Sequence, residues 1–355
     1  MKILHQIESL NRNDGGPTRS VQGLCRAQAA LGHEVTLICN ESDLSTSEWP
    51  FSVYQFHGKL HLADAIELCS KFEIVHLHGI WLKMGHFVSV AARKSGVPFV
   101  VHPRGYLQDW AIRQKKWKKR LAWFLYQKKD LEAAKMIIAT AKIEETDVLK
   151  RLPNARVALL PNGIENQGHS KQFPSGGPRR ALFISRIHIK KGIVDLLNAW
   201  EECHFDDWEL IIAGPDSYGL WNKLEKQYPL NEMKVSYLGS IDGCAKADLF
   251  RSADLLIFPT YSENFGLVVA ESLSVGTPVL TTNGTPWSNL QTVGCGWCID
   301  PGEISLKMQL HVSLRLSKQK LFEMGTHGVD YIHESFDWDK IARQSIAIYK
   351  DAINC

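Results

Sequence analysis

Hydrophobic positions along the chain form short runs rich in β-branched residues, and longer segments of helical periodicity separate these runs. Continuous apolar strands that alternate with helices are typical of parallel sheets joined by right-handed crossovers. The first half of the chain therefore predicts a doubly wound α/β sheet with helices on both faces. Its expected strands are residues 2–7, 34–39, 74–78, 99–102, 136–139 and 157–160.

Residues 166–180 interrupt this pattern with Gln, Gly, Ser, Pro and a Gly-Gly pair, a composition typical of a linker. A second α/β series follows the interruption. We therefore predict two facing Rossmann-like domains with parallel sheets, whose strand ends enclose an interdomain cleft. The strands expected in the second domain are residues 181–185, 209–213, 235–238, 255–259 and 278–282.

Composition supports two ordinary globular domains. The chain has 355 residues, more than one compact core usually holds. A net charge of +3 does not indicate a nucleic-acid partner. Polar residues interrupt the first eight positions before a signal-peptide core forms, and no apolar stretch reaches the roughly 18 residues that cross a bilayer. We expect a cytoplasmic protein.

Eight cysteines are scattered along the chain, and Cys295 and Cys298 form the one close pair. A C-x-x-C pair is compatible with a redox couple or half of a zinc site. No second pair or spaced histidines complete a tetrahedral set, so the favoured interpretation is a stretch of small apolar residues that enters a strand.

The segment 258–279 is the most informative one for function. A strand is expected to end near Pro259, and a helix from Gly266 to Val275 should follow the loop. The free N–H groups and the dipole at the start of such a helix suit a phosphate. Glu271 lies one turn further, within reach of a ribose diol, and Glu263 in the loop can bind sugar hydroxyls. The alternative is a pair of ordinary surface carboxylates.

Two further segments carry charge or glycine at strand ends. Arg186 and Lys191 follow an expected strand, where two cations can neutralise a leaving diphosphate. Gly15 and Gly16 follow the first strand, where glycine allows the backbone to approach a phosphate closely. The pattern is not G-x-G-x-x-G, which argues against a dinucleotide-binding dehydrogenase.

Together these segments resemble the group-1 retaining glycosyltransferases of the GT-B fold, of the kind found in bacterial polysaccharide synthesis. The family signature has two glutamates separated by seven residues, as do Glu263 and Glu271, and Arg186 and Lys191 match its diphosphate-binding pair. The resemblance implies catalytic roles for Glu263, Arg186, Lys191 and Arg104. It implies donor contacts at Gly15, Gly16, Asn162, Arg186, Lys191, Gly239, Glu263, Asn264, Phe265, Gly266, Leu267 and Glu271.

The resemblance also implies the reaction. A hexosyl unit would move from a nucleoside diphosphate sugar, UDP favoured over GDP, to a glycan or lipid-linked acceptor of cell-surface polysaccharide such as lipopolysaccharide or exopolysaccharide. Retention by front-face departure of the diphosphate is expected, with no cofactor and no metal ion. Residues 1–168 would form the acceptor-side domain, with a helix at 338–355 that crosses back to it, and residues 169–337 the donor domain.

The acceptor side is expected at His78, His102 and Arg104, which end two strands of the first domain. Relatives place a histidine near the donor sugar, and the simplest alignment puts Arg104 at that position. As a metal site, His76 and His78 are expected to point to alternate sides of their strand, which disfavours coordination by both.

Asp337 and Asp339 spell the D-x-D of metal-dependent glycosyltransferases of another fold. They precede a helical pattern, so Asp337 or its neighbour is expected to cap that helix instead. Other functions that remain open are a sugar-nucleotide epimerase, a phosphorylase of the same fold, or a non-catalytic two-domain sugar-binding protein.

Residues 113–129 carry eight basic side chains and no acidic one. Trp117, Leu121, Phe124 and Leu125 recur at helical spacing and predict one apolar stripe. Either this helix packs on the core with a basic outer face, or residues 110–129 lie at an anionic membrane surface as a peripheral contact.

Overall fold

The computed structural model describes residues 1–11, 15–56, 61–165, 177–203 and 205–354. The chain divides into two compact units. Unit 1 comprises Met1–Glu165 and Phe336–Cys355, and unit 2 comprises Asn166–Ser335. Most of the predicted linker, residues 166–176, lies outside the described residues.

Unit 1 contains a seven-stranded parallel sheet of order β3-β2-β1-β4-β5-β6-β7. The central strands are fully buried, as expected for a sheet covered on both faces, and they are apolar except for His76, His78 and His102. The strands are β1 Lys2–Gln6, β2 Glu34–Cys39, β3 Ser52–Gln55, β4 Ile74–His78, β5 Phe99–His102, β6 Met136–Ala139 and β7 Val157–Leu159.

Unit 2 contains a six-stranded parallel sheet of order β10-β9-β8-β11-β12-β13. In both sheets the order reverses beside the first strand of the unit, which is the point where doubly wound sheets bind ligands. The strands are β8 Arg179–Ile184, β9 Trp208–Ala213, β10 Val235–Tyr237, β11 Leu255–Phe258, β12 Val279–Thr282 and β13 Gly296–Ile299.

Helices pack on the two sheets. No helix in the described ranges combines the length and apolar character that a bilayer span needs. The helices are α1 Gly16–Ala30, α2 Leu62–Cys69, α3 Lys83–Ser95, α4 Asp109–Arg113, α5 Lys116–Ala122, α6 Lys128–Ala133, α7 Lys142–Arg151, α8 Ile193–Cys203, α9 Trp221–Gln227, α10 Gly243–Ser252, α11 Leu267–Ser274, α12 Leu290–Val293, α13 Glu303–Ser313, α14 Lys318–Phe336 and α15 Trp338–Ile353.

The start of α15 packs against two glycines of unit 1. The indole of Trp338 occupies the space that a side chain at Gly23 or Gly163 would need. Asp337 caps the helix, since its carboxylate accepts a hydrogen bond from the Asp339 N–H at 2.8 Å. The predicted cap is confirmed, and it gives the D-x-D sequence a structural role.

The sequence pattern missed β3 as a strand. This strand lies at the edge of its sheet with alternating exposed and half-buried residues, so it lacks the continuous apolar run of the inner strands. The favoured interpretation of the C-x-x-C stretch is confirmed, because Gly296–Ile299 forms β13.

Candidate functional site

In unit 2 the loops at the carboxyl ends of β8, β11 and β12 contact one another through their backbones. Gly192, with φ of 72°, leaves no room for a side chain against the backbone of Pro259. The Tyr261 N–H donates to the Lys190 carbonyl at 2.9 Å, and the Glu263 N–H donates to the Gly284 carbonyl at 2.7 Å. These backbone contacts fix the predicted site residues on rigid strand ends.

Three cations follow β8. Arg186 is exposed and makes no ion pair with any described residue, whereas Lys190 and Lys191 are half-buried. Burial and the charge of Arg186 lower the pKa of Lys190 to about 8. Burial, Lys190 and Arg186 lower the pKa of Lys191 to about 7. The three positive charges are thus crowded at a partly desolvated strand end, an arrangement that suits a polyanion.

Glu263 forms an ion pair with Lys191. This carboxylate opposes the fall in the Lys191 pKa, because an adjacent anion favours the ammonium form. The structure thus joins two of the predicted residues directly.

The start of α11 has no side-chain cap. Gly266 caps it in the left-handed conformation, with φ of 75°, and no side chain of the described residues bonds its first N–H groups. Phe265 is buried and its carbonyl accepts from the Trp287 indole N–H at 2.6 Å, which fixes the turn before Leu267. The buried Oδ1 atom of Asn264 has no hydrogen-bond partner among the described residues. An unpaired buried acceptor beside free N–H groups is typical of a site that a ligand completes.

Glu271 lies one turn into α11, where Lys246 of α10 donates to its carboxylate at 2.6 Å. Both side chains are mostly buried, at 22% and 15% exposure. Lys246 was missed by sequence reasoning, because nothing in the sequence brings α10 beside α11. Gly239 follows β10 with φ of 71°, and its carbonyl accepts from the Gly214 N–H at 2.7 Å.

Unit 1 brings several other predicted residues together around Arg104. Its guanidinium donates to the Ser20 hydroxyl and the Asn162 amide oxygen, both at 2.8 Å, and to His78 Nδ1 at 3.1 Å. Ser20 in turn donates to the Gly16 carbonyl at 2.9 Å. Arg104 itself has a φ of 58°, a strained conformation for a long side chain that is often found at functional sites.

Gly15 caps α1 with φ of 79°, and none of the described side chains caps this helix. Asn13 and Asp14 of the predicted glycine loop lie outside the described residues.

The turn at Arg104 rests on Glu144, which sequence reasoning missed. This buried carboxylate accepts from the Gly105 N–H at 2.5 Å and from the N–H and hydroxyl of Thr140 at 2.8 and 2.7 Å. A Thr followed by Glu four residues later at a strand-to-helix junction was the available signal.

The expectation for His76 and His78 is wrong. Residues two apart in a strand share a face, and the rings of these histidines lie 3.9 Å apart between centroids. His5 joins them, and the three offer ligand atoms within 4.8 Å of one another. His102 is buried beside them, and neither of its ring nitrogens has a hydrogen-bond partner.

The basic segment of unit 1 is helical but interrupted. Lys115, with φ of 52°, interrupts the helical conformation between α4 and α5. A π-helical turn at Trp123–Gln127 joins α5 to α6. Of the two alternatives for the apolar stripe, packing on the core does not agree with the exposure of its side chains. Trp117, Leu121, Phe124 and Leu125 are 80%, 61%, 74% and 70% exposed.

Comparison with known proteins gives matches along most of the chain. The family model described as Glycosyl transferases group 1 matches residues 165–309. The model described as Glycosyl transferase 4-like domain matches residues 15–163. The two models therefore divide the chain at the end of β7, close to the boundary between the units.

Individual relatives agree with these models. D-inositol 3-phosphate glycosyltransferase 2 of Catenulispora acidiphila is 24% identical over 87% of this chain and 78% of its own length. The GDP-mannose:cellobiosyl-diphosphopolyprenol alpha-mannosyltransferase of Xanthomonas campestris is 21% identical over 99% of this chain and 97% of its own. The structure of Anabaena HepE in complex with UDP-glucose superposes with a TM-score of 0.77 at 17% identity, covering 99% of each chain.

Proposed function

We propose that this chain, which belongs to the group-1 glycosyltransferases of the GT-B fold, transfers a hexosyl unit from a nucleoside diphosphate sugar to a glycan or lipid-linked acceptor. The observation that carries the proposal is the cluster at the carboxyl edge of the unit 2 sheet. There Arg186, Lys190 and Lys191 lie beside Glu263, and an uncapped α11 begins at Gly266.

The cations of this cluster supply the electrostatics of the reaction. Negative charge accumulates on the diphosphate as the bond to the anomeric carbon breaks. Arg186 is exposed and free to pair with a phosphate, and Lys191 can exchange its contact with Glu263 for one with the leaving group. The first N–H groups of α11 add the positive end of the helix dipole. Neutralisation by these groups needs no metal ion or further cofactor.

The two carboxylates bind hydroxyl groups of the donor. Glu271 is held by Lys246 one turn from the phosphate end of α11, where its carboxylate can accept from a ribose diol. Glu263, released from Lys191 as the diphosphate binds, can accept from hydroxyls of the transferred sugar. Four further residues at the carboxyl edge of the unit 2 sheet complete the proposed donor contacts. They are Asn264, Phe265 and Leu267 after β11 and Gly239 after β10.

A UDP-sugar is the proposed donor, and a GDP-sugar is the alternative. HepE was crystallised with UDP-glucose, and the Xanthomonas relative is named for GDP-mannose. Thermal-shift measurements with a panel of UDP-, GDP- and ADP-sugars test this directly. Stabilisation by a UDP-sugar, lost in Arg186→Ala, supports the proposal. No stabilisation by any of these sugars contradicts a nucleotide-sugar donor.

Retention at the anomeric carbon is proposed with departure of the diphosphate from the face that the acceptor attacks. The leaving diphosphate then takes the acceptor proton, and the oxygen–carbon bond forms as the carbon–phosphate oxygen bond breaks. Anomeric NMR of the fresh product distinguishes retention from inversion. Activity that vanishes in EDTA and returns with magnesium or manganese would contradict a metal-independent reaction.

The acceptor is proposed to bind at Arg104, His78 and His102 of unit 1, and the product to be cell-surface polysaccharide. Product analysis with and without an acceptor separates this function from an epimerase, which changes the donor alone. It also separates it from a phosphorylase, which needs phosphate, and from a sugar-binding protein, which yields no product.

The exposed stripe of α5 and the π-helical turn is proposed to lie on an anionic membrane surface at the inner face of the cytoplasmic membrane. Its apolar residues are exposed, and Lys115, Lys116, Lys118 and Arg120 beside them are exposed as well. Apolar side chains flanked by cations are the two features that an interfacial helix needs. A lipid-linked acceptor would meet the enzyme at that surface.

A further inference from the structure

Arg104 is surrounded by neutral acceptors. The three groups that bind its guanidinium are a hydroxyl, an amide and an imidazole, and none of the described carboxylates forms an ion pair with it. Burial lowers the pKa of Arg104 to about 10, while the charge of Glu144 acts in the opposite direction. An arginine in such surroundings keeps its proton, so its charge is left without a direct counter-ion.

The guanidinium sets the direction of a hydrogen-bond chain. Because arginine only donates, His78 Nδ1 must accept, and the proton of neutral His78 must lie on Nε2. His78 Nε2 lies 2.9 Å from His5 Nδ1 and therefore donates to it. The proton of His5 then lies on Nε2, which donates to Gln28 Oε1 at 2.8 Å.

The chain continues from Gln28 into α15. The Gln28 amide nitrogen donates to the Ser345 hydroxyl at 2.8 Å and to the Tyr349 hydroxyl at 3.1 Å. Tyr349, having accepted this bond, donates to His76 Nδ1 at 2.6 Å. Gln28, Ser345, Tyr349, His5 and His76 are all completely buried. One charge thus fixes the tautomers of a network that joins β1, β4, α1 and α15.

The direction of this chain argues against a metal ion among the three histidines. A metal would need the lone pair of His78 Nε2, but that nitrogen carries the proton as long as Nδ1 faces Arg104. Burial, with the charge of Arg104, lowers the pKa of His5 to about 4 although its bond to Gln28 acts in the opposite direction. The neutral, hydrogen-bonded form is therefore the one that the site stabilises.

We propose that Arg104 binds a phosphate group of a substrate, and that His78, His5 and Gln28 are positioning residues that hold its guanidinium for this purpose. The proposal rests on the proposed function only for the origin of that phosphate, which is either the diphosphate of a lipid-linked acceptor or that of the donor. Ser20 ties Arg104 to the first turn of α1, and the positive end of this helix, which no described side chain caps, favours a phosphate over a neutral hydroxyl.

Nitrogen NMR of histidine-labelled full-length protein tests the proposal, with His78 identified by His78→Gln. His5 and His78 should be neutral Nε2–H tautomers from about pH 6 to about pH 8. With UDP present in excess, inorganic phosphate should shift the His78 Nδ1 signal in a saturable way, and Arg104→Gln should abolish the response. A response to UDP alone, to which phosphate adds nothing, assigns the phosphate to the donor. A His78 signal that neither ligand moves, or that moves equally in Arg104→Gln, overturns the proposal.

Gln28→Glu tests the positioning role without touching the ligand. A carboxylate at this position cannot donate to Ser345 and Tyr349, and it draws a second proton onto His5, which then opposes the His78 N–H. The affinity for phosphate should fall at least about tenfold with the folded state retained. Ser345→Ala keeps the Tyr349 partner and should leave that affinity within about threefold. Equal affinities in wild type and Gln28→Glu would contradict the positioning role.

The two proposals fail separately. Binding of phosphate at Arg104 in a protein that binds no nucleotide sugar would reject the proposed function and leave this inference standing. Binding of a nucleotide sugar without a response at His78 would reject this inference alone.

Discussion

The residues at the carboxyl edge of the second sheet are each held by a neighbour that has the opposite charge or a fixed backbone. Lys191 holds Glu263, Lys246 holds Glu271, and Arg186 alone extends into solvent without an ion pair to a described residue. Preorganised charges of this kind cost little reorganisation when a charged ligand arrives. In the proposed function the site exchanges these internal ion pairs for contacts with the donor.

The first prediction concerns direct donor contacts. Glu271→Gln and Arg186→Ala should each weaken nucleotide-sugar binding or turnover at least about tenfold, about 1.4 kcal/mol, because each removes a charged contact to the donor. Kinetics and calorimetry on folded protein provide the measurement. The matched controls are Glu323→Gln, in α14, and Arg315→Ala. Arg315 lies next to Leu316, whose carbonyl accepts a hydrogen bond from Arg179 at the amino end of β8. Controls that lose as much affinity as the site variants would remove the assignment.

The second prediction concerns pH. In the free protein Lys190 and Lys191 have pKa values lowered to about 8 and about 7, and the proposed site would bind a diphosphate through their protonated forms. Both lysines are charged below these values, and binding must recruit protons above them. The affinity for UDP should therefore fall at least about tenfold from about pH 7 to about pH 9.

Lys190→Arg and Lys191→Arg should flatten this dependence, since arginine keeps its charge. Calorimetry at constant ionic strength measures the affinities. A wild-type affinity that stays constant over this range would contradict the assignment of these lysines to the phosphate.

The residue types and order of the proposed donor cluster could be taken from the sequence, because motif spacing at strand ends is a local property. Partners from distant elements were not. Lys246, Glu144 and Gln28 act through contacts that depend on how helices pack. The face of His76 was misjudged although the period of a strand decides it.

Among the secondary-structure elements, α15 depends on close packing at its first turn. The Trp338 indole fills the space beside Gly23 and Gly163, and buried bonds from Gln28 fix the rest of the helix. Packing against Trp338 thus requires a glycine at Gly163.

The third prediction follows from this packing. Gly23→Ala should lower the free energy of unfolding by about 1–3 kcal/mol, because its methyl group overlaps the Trp338 ring. Gly85→Ala in α3 is the matched control, since its methyl group would meet only Gln6 Oε1 at 3.4 Å. That variant should be neutral or more stable by up to about 1 kcal/mol. Urea unfolding measures both, and equal stability of the two variants would contradict the packing account.

The exposed stripe of α5 gives the fourth prediction. Replacing Lys115, Lys116 and Lys118 by glutamine should reduce binding to anionic vesicles at least about tenfold at low salt, since each exposed lysine contributes about 1 kcal/mol near such a surface. Lys119 is retained because it donates to the Ala111 carbonyl at 2.6 Å.

The matched control for this prediction replaces Lys223 and Lys226 of α9 and Lys320 of α14 by glutamine. Vesicle binding is measured by flotation with phosphatidylserine vesicles. Turnover of a soluble acceptor should be unaffected in both triple variants. Wild-type protein that never binds such vesicles would exclude the membrane role.

At the scale of the whole chain, two parallel sheets repeat one plan. Each sheet has a cluster of polar and charged side chains at its carboxyl edge. In unit 1 the cluster contains Arg104 and the histidines, and in unit 2 it contains the cations and glutamates. Alternating apolar strands and helices were sufficient to predict this architecture, because parallel strands buried on both faces have an unmistakable pattern. The identity of donor and acceptor depends on shape in the loops and was not encoded in any motif.

Hydrogen–deuterium exchange of the full-length protein with and without a UDP-sugar tests the central claim most directly. Bound donor should slow exchange in peptides that cover residues 186–192 and 263–271, because the backbone of both loops is ordered by the diphosphate and ribose. Arg186→Ala should lose this protection at the same donor concentration. If the exchange of both peptides stays unchanged while another part of unit 2 exchanges more slowly, the proposed donor site is contradicted.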